Sequence, residues 1–399
     1  MADEDLPFDA VSPTYRRFIL DNLSHYGIDP ERFWRPLPGA DEMFFKALLP
    51  NYERDVDIAA FKFTESTLRF FDTYRQIVDQ VFGGFSNLSS VMDFASGYGR
   101  LTRLLEQRLR PEQIWVSDIY ADAMAWQANA FGVNTVVSAP DPDAVTHAGT
   151  HDIVFVGSLF SHLPSGLFER WLQRLYAMVA PGGVLAFSVH DVGFLPAGET
   201  PDPSGLSFYR TSESGSLDYD IYGMSYVTEA YVAAAVAGLP GAPTYRRFGK
   251  GAYENQDLYV VAGPGRSLDG LRVASTPMGG FETATALTNG DVEFAGWAHE
   301  RTAGARIERL RVWVDGVDRG VVEPSSERPD VLRHFPDAAN TPVGWVFRLA
   351  RERTPAGALV RVDLESGSGL TGRLYAEFPP PTAITYSGWS RRPLKGGGL

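Results

Sequence analysis

The chain has 399 residues, 44% of them hydrophobic and 21% charged, enough to bury a substantial core and to form two domains. It has no cysteine, which excludes disulfide frameworks, thiolate nucleophiles and Cys-ligated zinc or iron–sulfur centres. Thirty-six Lys and Arg against 49 Asp and Glu leave a net charge of −13, so nucleic acid is not an expected partner, because neutralising phosphates needs a basic footprint. The opening Met1-Ala2-Asp3-Glu4-Asp5 is acidic where a secretory leader is basic, and no apolar run approaches the ~20 residues that span a bilayer. A soluble cytoplasmic protein without a membrane span is the expectation.

Residues 15–81 are aromatic-rich, with Phe61, Leu68, Phe71, Ile77, Val78 and Val81 at roughly helical spacing, and Gly83-Gly84 ends the pattern. Residues 1–85 are therefore expected to form an N-terminal helical segment or lid. From 86 to 264, short β-branched runs alternate with amphipathic stretches. Val91-Met92-Asp93-Phe94 reads as a strand, Leu101, Leu104, Leu105 and Leu109 as one face of a helix, and residues 114–118 as the next strand. Further strands are expected at 134–137, 153–157, 184–189 and 258–262. Such alternation predicts right-handed crossovers and a parallel, Rossmann-like doubly wound sheet. Beyond Gly263-Pro264-Gly265 the helical period disappears. Six short strands, at 292–297, 306–314, 317–322, 344–349, 358–364 and 372–378, with a hairpin signal at Asp315-Gly316, predict an antiparallel β-sandwich over 271–378. Residues 379–399, from Pro379-Pro380-Pro381 to Gly396-Gly397-Gly398, read as a flexible or docked tail.

The segment Asp93-Phe94-Ala95-Ser96-Gly97-Tyr98-Gly99-Arg100 lies where a predicted strand passes into a predicted helix, the position at which a doubly wound sheet receives a nucleotide-like ligand. Gly97 and Gly99 allow torsions and close approach that a Cβ would obstruct. Asp118 ends the following strand 25 residues after Asp93, where a carboxylate can accept both hydroxyl hydrogens of a ribose. Thr102 stands where a dinucleotide loop has its third glycine, and no phosphate-gripping Lys follows. Asp93 would repel a diphosphate but suits a ligand with an amino group and a sulfonium.

Residues 91–183 resemble the class I S-adenosylmethionine-dependent methyltransferases. Asp93-x-Ala95-x-Gly97-x-Gly99 is similar to their first motif, with Ala95 where the family usually has glycine. Asp118 matches their ribose-binding acid, and Pro181-Gly182-Gly183-Val184 the turn into their fifth strand. The resemblance implies a seven-stranded sheet whose last hairpin includes residues 244–248 and 258–262, and S-adenosyl-L-methionine as cofactor. It implies contacts with that cofactor from Asp93, Ala95, Ser96, Gly97, Gly99, Asp118, Ile119, Ser138, Ser158 and Leu159. Ile119 would pack on the adenine, residues 138–141 would line its other side, and residues 157–164 would form the donor and acceptor face. Residues 61–67 would contribute to a roof.

Methyl transfer is a displacement at a carbon activated by positive sulfur, so alignment and exclusion of water are the main requirements, with a base needed for a poor nucleophile. His162 and His190 each follow a parallel strand and are candidates for that base, or alternatively cap a helix or bond a carbonyl. Asp191 could orient an imidazole; no metal is expected, because His190-Asp191 supplies too few ligands. A long insertion, 192–227, holds Tyr209, Arg210, Tyr219, Tyr222 and Tyr226 and reads as a polar lid or a solvated loop. Arg246-Arg247 reads as a solvated pair, and residues 249–257 as a border of the acceptor site.

In the C-terminal part, Gly296-Trp297-Ala298, Val312-x-Val314-Asp315-Gly316, Arg328-Pro329-Asp330-Val331 and Gly344-Trp345-x-Phe347 resemble an immunoglobulin-like accessory module of bacterial glycan-modifying enzymes. That resemblance implies a saccharide or glycoconjugate acceptor. Trp297, Trp313 and Trp345 could stack on sugars or fill the core. The function expected is methyl transfer to a hydroxyl of a sugar or other small acceptor, with oligomerisation or substrate presentation through the sandwich. The alternatives are a scaffold whose nucleoside pocket is structural and whose sandwich binds a glycan or protein, and an NAD-dependent oxidoreductase using Asp118 on ribose.

Overall fold

The computed structural model describes residues 5–41, 43–196, 198–212, 216–253, 256–302, 305–335 and 342–378. The expected tail at 379–399 and the acidic opening at 1–4 lie outside the described residues. The chain divides into two compact units. Met1–Ala10, Tyr26–Ala59 and Phe63–Val273 form the first, and Val11–His25, Ala60–Lys62 and Ala274–Leu399 the second.

The first unit is mixed α/β around a parallel sheet. Strands β1 (Val91–Phe94), β2 (Ile114–Asp118), β3 (Asn134–Val137), β4 (His151–Val156) and β5 (Val179–Asp191) run parallel in the order β3-β2-β1-β4-β5. Two hairpins extend it, β6 (Leu206–Tyr209) with β7 (Met224–Val227), and β8 (Tyr245–Ala252) with β9 (Gln256–Ala262). Strand β9 lies antiparallel to β5, so the expected last hairpin is present. Among the described residues the sheet nevertheless has nine strands rather than seven. The added pair comes from the insertion and joins the far end of β5 through His190 opposite Tyr226 and Asp191 opposite Val227. Four-residue strands among Ser, Gly and Asp carry too little period-two signal to stand out from a loop.

Burial follows the sequence periods. All of β1 and β9 is buried, as strands covered on both faces require. Helix Ser165–Tyr176 buries Phe168, Trp171, Leu172 and Leu175, one stripe at i, i+3, i+4 and i+7, in the same core as Val154, Val156 and Phe187 of the sheet. The long helix Val56–Phe82 starts at Asp55, whose side chain accepts the Ile58 N–H, and stops at Gly83, whose φ of 76° forms a left-handed cap. The helix expected over Leu101, Leu104, Leu105 and Leu109 is a single turn, Thr102–Leu105. Past it the bonds shorten to three residues, Gln107 N to Leu104 O and Arg108 N to Leu105 O, yet all four leucines remain buried.

The second unit holds two antiparallel sheets. Strands β10 (Met278–Ala286), β11 (Val292–His299), β12 (Ile307–Val314), β13 (Val317–Val322), β14 (Gly344–Leu349), β15 (Ala358–Ser366) and β16 (Thr371–Phe378) form a three-stranded sheet, β10-β11-β14, and a four-stranded one, β13-β12-β15-β16. Phe281, Phe294, Trp345 and Phe347 of the first sheet share one core with Leu310, Val312, Val360 and Leu374 of the second. Asp315 and Gly316 both have positive φ, 46° and 77°, as the two-residue hairpin requires. The small residues of β10 mute its apolar pattern, and the sequence reading misses it.

Helix Pro13–His25, which the sequence assigns to the N-terminal segment, groups with this second unit. Its Phe18 stacks on Tyr375 with centroids 5.5 Å apart, and its Asp21 accepts from Arg361 Nη1 at 2.9 Å, Tyr375 OH at 3.0 Å and Arg373 Nη1 at 3.2 Å. Phe61 also packs edge-on against Tyr375, at 5.8 Å. Trp297 and Trp345 are buried, so neither is available to a sugar. Trp313 is half-buried, donates Nε1–H to Asp363 at 2.7 Å and carries the Arg361 guanidinium 4.9 Å from its ring. Among the described residues, no helix is long and apolar enough to cross a membrane.

Candidate cofactor and acceptor site

Parallel strands end on one edge of the sheet, and the register places Asp93 of β1 beside Val116 of β2 and Phe155 of β4. The chain leaving β1 turns through Ala95 at φ 61°, Gly97 at φ 52° and Gly99 at φ 76°. Ala95 thus adopts the left-handed torsion that glycine takes without penalty, at a cost of roughly 1–2 kcal/mol. The turn is tied to β2 by Ser96 N–H to Ser117 O at 3.0 Å. Asp118 closes it: Oδ2 accepts from Gly97 N at 2.8 Å and Oδ1 from Tyr120 N at 3.2 Å.

The two glycines differ in purpose. A Cβ on Gly99 would lie 2.7 Å from Gln127 Oε1 and 2.8 Å from the Phe131 ring, so the turn packs on helix Ala121–Phe131 there. A Cβ on Gly97 would meet nothing within 4 Å, which leaves that backbone open to a ligand. Gln127 was not anticipated. It is fully buried, donates Nε2–H to Ser96 Oγ and to Gly97 O, both at 2.8 Å, and accepts from Thr102 Oγ1 at 2.8 Å. Thr102, in the third-glycine position, is therefore a brace for the turn. The available signal was a polar residue on the buried stripe Met124, Gln127 and Phe131.

Asp93 is 4% exposed, and its Oδ2 has no hydrogen-bond partner. Burial, with the Asp118 carboxylate adding to it, pushes its pKa up to about 8. Burial also raises Asp118, opposed by the N–H groups of Gly97, Tyr120 and Ile119. Arg100 donates Nε–H to Thr67 Oγ1 at 2.8 Å, bonds Ser66 Oγ and lies 5.5 Å from the ring centroids of both Phe63 and Tyr253. Burial lowers its pKa. The Tyr253 ring stacks on Phe70 at 4.4 Å, and burial raises its phenol to about 12, with Arg100 opposing and Asp93 adding.

At the end of β4, Ser158 takes a positive φ of 60° and is held by a closed set of bonds. Its N–H donates to Ser188 Oγ at 2.9 Å, Ser188 donates to Gln256 Oε1 at 2.6 Å, and Gln256 Nε2 donates to Ser158 Oγ at 2.6 Å. Ile119, Ser138, Ser158 and Leu159 are half-buried just past β2, β3 and β4, and Ser138 N bonds Asp118 O at 2.8 Å. The strand ends thus gather the expected cofactor residues, Asp93, Ala95, Ser96, Gly97, Gly99 and Asp118 included, along one sheet edge.

The two histidines lie at that same edge, with ring centroids 6.4 Å apart. His162 is buried, donates Nδ1–H to Gly223 O at 2.7 Å and stacks on Tyr222 at 4.4 Å. His190 is buried beside Tyr226, and burial, followed by the adjacent His162, lowers its pKa to about 4, so its imidazole is neutral at neutral pH. Gln256 Nε2 lies 3.4 Å from its Nε2.

Asp191 does not orient that ring. It pairs with Arg247 at 2.8 Å and caps Gly193 N at 2.7 Å. Arg247 also meets Asp257 at 2.6 Å and Glu229 at 2.7 Å, so it is the centre of a carboxylate network rather than half of a solvated pair. Tyr120 OH and Ser216 Oγ of the insertion are 2.5 Å apart. Among the described residues, no group of three or more His, Cys, Asp or Glu side chains is placed to hold a metal ion.

A parallel sheet whose first strand runs into a glycine turn braced by the acid of the second strand is the arrangement in which a doubly wound sheet receives a nucleotide-like ligand at its strand ends. Residues 67–216 match the family model of a methyltransferase domain. The chain is also similar to solved structures. One is the 1,6-didemethyltoxoflavin-N1-methyltransferase of Burkholderia thailandensis, at 15% identity over 65% of this chain and 95% of that one, TM-score 0.36. Others are a DhpI complex with S-adenosylhomocysteine, at 16% identity over 57% and 96%, TM-score 0.35, and the N-methyltransferase NodS of Bradyrhizobium japonicum, at 13% identity over 49% and 86%, TM-score 0.33. No curated protein matches the chain.

Proposed function

We propose that this protein transfers the methyl group of S-adenosylmethionine to a hydroxyl of a sugar or glycoconjugate in the cytoplasm, with residues 86–264 as the catalytic part and residues 271–378 as an accessory β-sandwich. The observation that carries the donor assignment is the buried Asp93 carboxyl with an unpartnered oxygen, beside Asp118 and the open backbone of Gly97. A ligand with an ammonium group and a ribose diol fits both needs: the cation lets Asp93 ionise, and the diol gives Asp118 its remaining acceptor contacts. A diphosphate would meet two carboxyl groups.

When bound, S-adenosylmethionine supplies a methyl group already activated by positive sulfur. Asp118 and Gly97 would hold the ribose, Ile119 and Ser138 would flank the adenine, and Asp93 with Ser158 and Leu159 would face the amino-acid portion. His162 would take the proton that the acceptor hydroxyl gives up, with His190 beside it as a neutral neighbour. Tyr209, Tyr222 and Tyr226 provide rings and hydroxyls suited to a polyhydroxylated acceptor, and the immunoglobulin-like motifs of the second unit favour a saccharide.

Calorimetry with S-adenosylmethionine and with NAD tests the donor, and transfer of labelled methyl to a panel of sugars, glycolipids and amines tests the acceptor. Binding of NAD in preference, or transfer to amines alone, sinks the reading; donor binding with no transfer to any acceptor favours a scaffold.

A further inference from the structure

We infer that the insertion builds the acceptor-side base: Tyr222 and Gly223 are positioning residues that fix the tautomer and orientation of His162. The inference rests on the proposal that His162 is that base. Among the described residues, four hydrogen bonds join the insertion to the segment after β4. Gly223 accepts from His162 Nδ1 at 2.7 Å and donates its N–H to His162 O at 2.9 Å. Ser225 donates N–H to Ser161 O at 2.7 Å and Oγ–H to Leu163 O at 2.6 Å. The Tyr222 ring lies over the imidazole with an interplanar angle of 12°.

A carbonyl can only accept, so the Gly223 contact puts the proton on Nδ1 and, in the neutral ring, the lone pair on Nε2. Loss of the Gly223 contact lifts that constraint on Nδ1 and lets the other tautomer populate. The residue at 223 has to be glycine for a steric reason: a Cβ there would lie 2.2 Å from Tyr209 O and 2.7 Å from the Phe208 ring, across the β6–β7 hairpin. Any side chain displaces the strand and, with it, the carbonyl. His190, a titratable neighbour at 6.4 Å, is neutral and does not supply the bias by charge.

The test is nitrogen-detected NMR of the imidazoles in the full-length protein, with His162→Gln assigning the resonance. The expected wild-type signal is a single tautomer protonated at Nδ1. Gly223→Ala is expected to mix the tautomers and to lower turnover by about 100-fold, the scale of a lost general base, with the KM for donor unchanged. Tyr222→Leu, which keeps the hairpin intact, is expected to lower turnover while leaving donor binding alone. A wild-type ring protonated at Nε2, or a folded Gly223→Ala protein with an unaltered tautomer, overturns the inference. Full turnover in His162→Gln with the Nδ1 tautomer present in the wild type removes the base reading instead, and the catalytic meaning of the tautomer goes with it.

Discussion

Replacing Asp93 by Asn keeps the shape of the side chain and removes its titration. In the ligand-free protein burial raises this carboxyl from 3.8 to about 8. Between those values the folded protein holds a proton that the unfolded chain has released, so stability is complete below the lower value and falls as pH rises toward the upper one. The slope from this one group is at most about 1.4 kcal/mol per pH unit, and the accumulated penalty at neutrality is at most about 4 kcal/mol. The amide is itself short of a partner and offsets roughly 1–3 kcal/mol of any gain, so the slope is a better readout than the absolute difference. Urea unfolding of the ligand-free wild type and Asp93→Asn, from mildly acidic to neutral pH, is expected to show an advantage for the variant that widens by about 1 kcal/mol per pH unit. Asp118, also raised by burial, tilts both proteins the same way and cancels to first order. Parallel curves would refute the argument, because they would mean that the carboxyl titrates normally in the folded protein.

Because a cationic ligand restores the charge on Asp93, donor binding at neutral pH is expected to release nearly one proton, read from calorimetry in buffers of different ionisation enthalpy, and Asp93→Asn to abolish that release. Gly97→Ala meets no atom, costs about 1 kcal/mol for its torsion and weakens donor binding in titrations. Gly99→Ala strikes Gln127 and Phe131 and lowers the unfolding free energy by about 1–3 kcal/mol more. Asp118→Ala is expected to weaken donor binding by about 100- to 10,000-fold, the worth of two charged hydrogen bonds at roughly 1.5–3 kcal/mol each; affinity within a few-fold of wild type would remove the ribose assignment.

The parallel strands were readable because their runs are rich in β-branched and apolar residues and each ends near a turn signal, so β1, β2 and β3 fall where the residues place them. The hairpin of β6 and β7 was not, since its stability comes from pairing with His190 and Asp191 rather than from its own composition. At the site, the glycine turn and Asp118 follow from spacing. The partners of Asp191 and Arg247 do not, because sequence proximity suggested His190 for the first and solvent for the second, while the fold pairs the two with each other and Arg247 also with Asp257 and Glu229. Gln127 and Gly223 act through contacts 30 and 61 residues away along the chain, beyond the reach of any local pattern.

Tyr375 follows its hydrogen-bond partner Asp21 by 354 residues. During synthesis the 13-residue segment Pro13–His25 leaves the ribosome long before the strands that receive it exist, and a helix of that length is marginal in water by itself. The second unit therefore completes its core only when the final strands have been translated. A fragment starting at Ala274 would expose the faces of Tyr375, Arg361 and Arg373 that this helix covers, and adding the helix back as a separate peptide would be the way to quiet them.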